Sequence, residues 1–91
     1  MDVRYTVGVH EYKRMNTQEL RDAFQVNIFE TGQLNLLYCE VERGIVGAAV
    51  PTTETLKLEA GKELAADYFC QRREVGVLNI GGNGTVTVDG T

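Results

Sequence analysis

The feature that most constrains the fold is the alternation of strand and turn signals toward the end of the chain. Residues 75–80 form an apolar run with β-branched side chains, and residues 85–88 alternate with a period of two. Asp89-Gly90 is a strong two-residue hairpin signal, which predicts a partner strand beginning at Thr91. Without that partner, residues 85–88 would keep an open edge and an uncovered apolar face. We therefore expect the chain to be a piece of a larger β protein whose active site need not lie within these residues.

Size and charge argue against several classes of protein. With 91 residues, 43% hydrophobic and 24% charged, the chain has the composition of one small globular domain rather than of a disordered segment. A net charge of −4 argues against nucleic-acid binding, which needs a basic face, and gives no attraction to an anionic membrane. The N-terminal residues lack an apolar signal region, so we expect a cytoplasmic protein with Cys39 and Cys70 as reduced thiols.

One helix is predicted near the N-terminus. Asn16 can cap it, and Glu19 completes a capping-box pattern. Leu20, Ala23 and Phe24 then fall on one face at helical spacing, which is typical of a short amphipathic helix.

The remaining segments are short and mostly strand-like. Apolar runs separated by turn residues predict strands at 26–29, 34–41, 45–50 and 53–58. Residues 62–68 favour a second helix by propensity, but only weakly. Strands at this spacing with glycine-rich turns indicate a β-sandwich or barrel.

The glycine cluster before the last strand is best interpreted as a turn. Gly81, Gly82 and Gly84 are followed by a Thr/Val strand. A phosphate-binding loop would need a following Lys-Ser/Thr, and a dinucleotide fold would need a helix there. The glycines therefore predict a hairpin rather than a nucleotide site.

Gly61, Asp67, Phe69, Glu74 and Gly81 form a second spaced pattern. Their spacing resembles that of the first cupin motif, which runs Gly, His-x-His, Glu, Gly. Neither of the two histidine positions holds a histidine. A one-residue shift brings Tyr68 and Cys70 there instead, which is still a poor ligand set for a transition metal. The motif therefore predicts a cupin scaffold and no metal site in this chain.

The resemblance extends beyond spacing. The Arg-Arg-Glu segment at 72–74, the Asn-Ile-Gly-Gly turn at 79–82 and the surrounding residues 68–90 resemble the bacterial 4-deoxy-L-threo-5-hexosulose-uronate ketol-isomerase family. Residues 1–4, 16–21 and 43–47 are similar to the same family, in the same order. Members are about three times longer and contain two cupin barrels. The resemblance therefore implies that residues 1–91 are an N-terminal segment ending inside the first barrel, apparently truncated, without the catalytic second barrel.

The resemblance implies a function for the complete protein. The family isomerises 5-keto-4-deoxyuronate to 2,5-diketo-3-deoxygluconate, an aldose-ketose shift in bacterial pectin breakdown and carbohydrate metabolism. It forms hexamers and uses zinc, held by three His and one Glu of the C-terminal barrel. None of those ligands carries over, so we expect no catalytic or metal-binding residue and no bound zinc here. The one histidine, His10, lies far upstream in the N-terminal arm and is expected to be structural or exposed.

Arg72 and Glu74 are the candidate substrate-binding residues. Strand alternation would place them on one face and Arg73 on the other. An arginine can bind a uronate carboxylate bidentately. The alternative is a structural ion pair at the barrel mouth or at a subunit interface.

The predicted fold is mainly β: a cupin-like partial barrel (double-stranded β-helix, or jelly roll) with one short N-terminal helix. The chain alone is expected to be inactive, bracing a C-terminal catalytic barrel and contributing to subunit contacts in a homo-oligomer. Two other hypotheses stay open. The chain could be an independent metal-free cupin that binds sugars, or a structural assembly module that pairs with a separate C-terminal part.

Overall fold

The computed structural model describes residues 1–91, apart from the side chain of Glu63. Three strands, two α-helices and two 3₁₀ turns follow one another along the chain. They are β1 (Asp2–Arg4), α1 (Val9–Tyr12), α2 (Thr17–Phe24), β2 (Leu34–Cys39), β3 (Gly44–Ala49) and the 3₁₀ turns Lys62–Leu64 and Phe69–Gln71. The fold is therefore mainly β, with its regular structure concentrated in the N-terminal half. No described helix is both long enough and apolar enough to span a membrane.

The three strands form one sheet in the order β1-β2-β3. β2 and β3 are antiparallel, and the pairing runs from Leu34 opposite Ala49 to Cys39 opposite Gly44. This hairpin confirms the strands predicted within 34–41 and 45–50. Its connection ends at Arg43, whose φ of 55° lies in the left-handed region.

The strand β1 was not predicted. It pairs in parallel with the second half of β2, with Asp2 opposite Leu37 and Arg4 opposite Cys39. Two of its three residues are charged, so it carries no apolar run. It forms because β2 offers a free edge, which is information that a local pattern does not contain.

The helix α2 confirms the capping prediction. The Asn16 side-chain oxygen accepts a hydrogen bond from the Glu19 backbone N–H at 2.8 Å, and the Asn16 N–H donates to Glu19 Oε1 at 3.2 Å. Both halves of the capping box are thus present. The helix α1, a single turn, was not predicted; the Gly8 N–H donates to Glu11 Oε1 at its start.

The buried core is small. Leu37 in the middle of β2 is 4% exposed, and Leu64 and Phe69 in the two 3₁₀ turns complete the buried apolar set among the described side chains. Gly47 of β3 lies opposite Leu36, and a Cβ atom there would meet the Asn35 carbonyl oxygen at 2.8 Å. The absence of a side chain at Gly47 thus lets β3 lie close against β2.

Several predicted elements are not formed. The structure has no strand at the predicted segments 26–29, 53–58, 75–80 and 85–88, and the helix predicted over 62–68 is only the 3₁₀ turn Lys62–Leu64. A strand is stabilised by hydrogen bonds to a neighbouring strand and by burial of one face. Within the described chain the C-terminal segments have no such neighbour, and Leu78 is 90% exposed. The predicted cupin barrel is thus not formed by these residues alone.

Candidate functional site

The candidate residues Arg72 and Glu74 follow the second 3₁₀ turn. Phe69 opens that turn and is buried, which anchors the segment. The Asp67 N–H donates to Gln71 Oε1 at 2.8 Å, closing the loop across the turn. The candidate residues are therefore positioned by a turn, and the prediction that a strand carries Arg72 and Glu74 was wrong for these 91 residues because nothing pairs with the segment.

Arg72 and Arg73 make different contacts. Arg72 is exposed, and its Nη1 donates to the Ala65 carbonyl oxygen at 3.1 Å. Arg73 is half-buried, with its guanidinium carbon 5.8 Å from the centre of the Phe69 ring, a cation–π geometry. Arg73 therefore helps to hold the turn, whereas Arg72 faces solvent.

The Arg72 guanidinium can still bind an anion. It carries five N–H donors, and one bond to Ala65 leaves others free to bind a carboxylate. Glu74 is exposed as well. In the described part of the chain the only salt bridge joins Lys57 and Glu59 at 3.5 Å, so the structure does not pair Arg72 with Glu74. Their role in binding a carboxylate stays a prediction.

Metal-ligating residue types are scattered. Among the described side chains, no three of His, Cys, Asp or Glu come together to hold a metal ion. His10 is exposed on α1. Cys39, at the end of β2, is half-buried, and Cys70 is exposed; both are free thiols.

A cavity that the sequence did not predict lies beside β1. It encloses about 180 Å³ and is lined by β1, residues 26–30 and the first half of β2. The Asn35 amide donates to the Ile28 carbonyl oxygen at 3.2 Å along this wall, and Arg4 donates to the Gln25 carbonyl oxygen at 3.0 Å. Pockets for small molecules usually enclose about 300–1,000 Å³. The cavity is therefore smaller than a typical substrate site.

The chain is similar over almost its whole length to known proteins that share one name. No protein-family model matches the chain, and no solved structure matches it. The chain is 52% identical over 89 residues to a protein of Shouchella clausii named 4-deoxy-L-threo-5-hexosulose-uronate ketol-isomerase, covering 97% of this chain and 32% of that protein. Proteins of the same name from Caldicellulosiruptor bescii and Lachnoclostridium phytofermentans are each 45% identical over 99% and 100% of this chain, and 33% of their own length.

These matches confirm the resemblance that the sequence indicated. The chain spans about a third of the length of the curated relatives it matches, and it corresponds to their N-terminal part. The similarity extends through the irregular segment 50–91 as well as through the sheet, because it covers nearly all of the chain.

Proposed function

We propose that this chain is the N-terminal part of a ketol-isomerase that converts 5-keto-4-deoxyuronate to 2,5-diketo-3-deoxygluconate in the breakdown of pectin. The observation that carries the proposal is identity of 43–52% over nearly the whole chain to proteins named for this activity. Such identity over elements as different as the β2–β3 hairpin and the 3₁₀ turns supports a common architecture.

The proposed role of this chain within the enzyme is structural. The sheet presents β3 as an open edge on which further strands can pair. Pairing along that edge would extend the three strands toward the cupin-like barrel that the sequence predicts. In this proposal the barrel braces a C-terminal catalytic barrel and contributes to contacts in a hexameric, cytoplasmic enzyme.

The zinc that the family resemblance implies does not fit this chain. The described residues bring together no group of three metal-ligating side chains, and His10 is an isolated, exposed residue on α1. We therefore assign the metal to the C-terminal part of the complete enzyme and assign no chemical step to residues 1–91. Zinc content then distinguishes the two parts: the complete enzyme should bind it, and the 91-residue chain should not.

Arg72 is the residue of this chain that we propose contacts substrate. Its exposed guanidinium, held at one end by Ala65, can receive the uronate carboxylate through two parallel N–H bonds. Glu74 lies two residues on and would accept a hydrogen bond from a substrate hydroxyl. Replacement of Arg72 by lysine keeps the charge and loses the planar fork. The replacement should therefore raise KM several-fold with little change in kcat. If Arg72 is purely structural, the same replacement should instead lower thermal stability and leave KM unchanged.

A chimera tests the proposed function directly. This chain replaces the matched N-terminal part of the Shouchella clausii relative, and conversion of 5-keto-4-deoxyuronate is followed by chromatography or NMR. We expect turnover by the chimera and none by the 91-residue chain or by the relative's remaining part alone. A folded chimera that binds zinc and shows no turnover would contradict the proposal. Uronate binding by the isolated chain, together with no turnover by the folded chimera, would instead favour the metal-free sugar-binding module.

A further inference from the structure

The loop at residues 81–84 contains a chemically labile pair. Asn83 is followed directly by Gly84. A residue with a side chain follows each of the other asparagines, which are Asn16, Asn27, Asn35 and Asn79. The side-chain amide of an asparagine can be attacked by the backbone nitrogen of the next residue, which makes asparagine thermolabile. A glycine at that next position has no Cβ to obstruct the attack and adopts the backbone conformations that it needs.

The structure leaves both reacting groups of this pair unengaged. Asn83 and Gly84 are exposed. Within the described residues, neither the Asn83 amide nor the Gly84 N–H makes a hydrogen bond, and those of the loop belong to Asn79. Nothing lies within 4 Å of the Cβ position of Gly84. Ring closure at Asn83 would therefore break no hydrogen bond of the folded chain.

Asn79, at the start of the same loop, is held in place. Its Oδ1 accepts a hydrogen bond from the Gly81 N–H at 3.0 Å, and its Nδ2 donates to the Gly82 carbonyl oxygen at 3.1 Å. This is an Asx turn in which both ends of the amide are bound. The amide carbon can reach the backbone nitrogen of Ile80 only after both bonds break. Two hydrogen bonds of ordinary strength should slow that step about tenfold or more.

We propose that Asn83 is a deamidation site of this chain and that the Asx turn protects Asn79. The Gly84 nitrogen bonds to Asn83 Cγ, the Cγ–Nδ2 bond breaks, and ammonia leaves with the proton that the Gly84 nitrogen gives up. Water then opens the cyclic imide at one of its two carbonyls, which gives aspartate or isoaspartate. Either product adds a negative charge to the loop, and isoaspartate also lengthens the main chain between the segments 75–80 and 85–88 by one carbon. The proposal does not depend on the proposed function.

The variant Ile80→Gly tests the protection, because it places a glycine after Asn79 as well. Ile80 is 79% exposed, so the replacement removes no buried side chain. The 91-residue variant is held at mildly alkaline pH, and tryptic peptide mapping with fragmentation locates each conversion by a gain of about 1 Da. We expect Asn83 to convert about tenfold or more faster than Asn79. In denaturing urea, where the Asx turn is lost, the two rates should converge.

A second pair of variants tests the attacking nitrogen. Gly84→Ala should lower the rate at Asn83 several-fold, because the added Cβ hinders the attack. Gly82→Ala is the matched control, since its Cβ position is equally open and its φ is not positive, and it should leave the rate unchanged. Equal rates at Asn79 and Asn83 without urea would overturn the proposal, as would faster conversion of any other asparagine in the parent chain. A difference that persists in urea would overturn the protective role of the Asx turn.

Discussion

Replacing Gly47 by alanine probes how closely β3 lies against β2. Gly47 lies opposite Leu36 in the β2–β3 pairing. A Cβ atom at Gly47 would lie 2.5 Å from Leu36 Cδ2 and 2.8 Å from the Asn35 carbonyl oxygen. The Leu36 methyl group can move by a change of rotamer. The Asn35 carbonyl belongs to the β2 backbone, so it can move only if the strands separate locally.

The expected cost follows from two opposing terms. Inserting a methyl group into a packed site costs about 1–3 kcal/mol in strain. Replacing glycine by alanine inside a strand returns about 0.5–1 kcal/mol, because the unfolded chain loses conformational freedom. We therefore expect Gly47→Ala to lower the free energy of unfolding by up to about 2.5 kcal/mol. Gly44→Ala is the matched control in the same strand, since nothing lies within 4 Å of its Cβ position. It should be neutral or stabilise by about 0.5–1 kcal/mol.

Urea unfolding followed by circular dichroism measures the difference, in the 91-residue chain and again in the chimera. The two variants should differ in unfolding free energy by about 1–3 kcal/mol, roughly 1 M in urea midpoint. If Gly47→Ala and Gly44→Ala unfold at the same midpoint, β2 and β3 do not approach each other at Gly47 as described.

Three further predictions concern single side chains. Asn16→Ala should lower the free energy of unfolding by about 1 kcal/mol and reduce helical circular dichroism, because α2 loses its capping box. The control Gln18→Ala, on the same exposed turn, should cost less than about 0.5 kcal/mol, and equal losses for the two variants would contradict the cap. Leu37→Ala should lower the free energy of unfolding by about 2–5 kcal/mol in the same urea assay, since Leu37 is the most buried apolar side chain of the sheet. A loss below about 1 kcal/mol would show that β2 is not packed as described. Without reductant, iodoacetamide should label exposed Cys70 before half-buried Cys39, and mass spectrometry should find both labelled after denaturation. No label on either cysteine would indicate a disulfide between them, and a single label would indicate that one thiol is modified.

The elements that could be predicted from sequence are those whose stabilising partners are close in sequence. The cap of α2 needs only Asn16 and Glu19, and the hairpin of β2 and β3 needs only two apolar runs and a short connection. The Asp89-Gly90 turn belongs to the same group, because it closes with the flanking pair alone. β1 was missed because it pairs in parallel with a strand that starts some thirty residues later.

The candidate site could be predicted only in part, for the same physical reason. The sequence predicts Arg72 as a guanidinium suited to a carboxylate, and the structure places it at an exposed position. Its position was not predicted, because it depends on a hydrogen bond to Ala65, which adopts a φ of 49° that alanine rarely takes. The strand predicted over residues 75–80 needs a partner, and among the 91 described residues none pairs with it. Alternation in a strand would bring Arg72 and Glu74 to one face, so their use as a pair requires a strand that the rest of the protein would supply. A complete enzyme in which residues 72–74 remain outside any strand would therefore exclude Glu74 from the site and leave Arg72 as the only candidate.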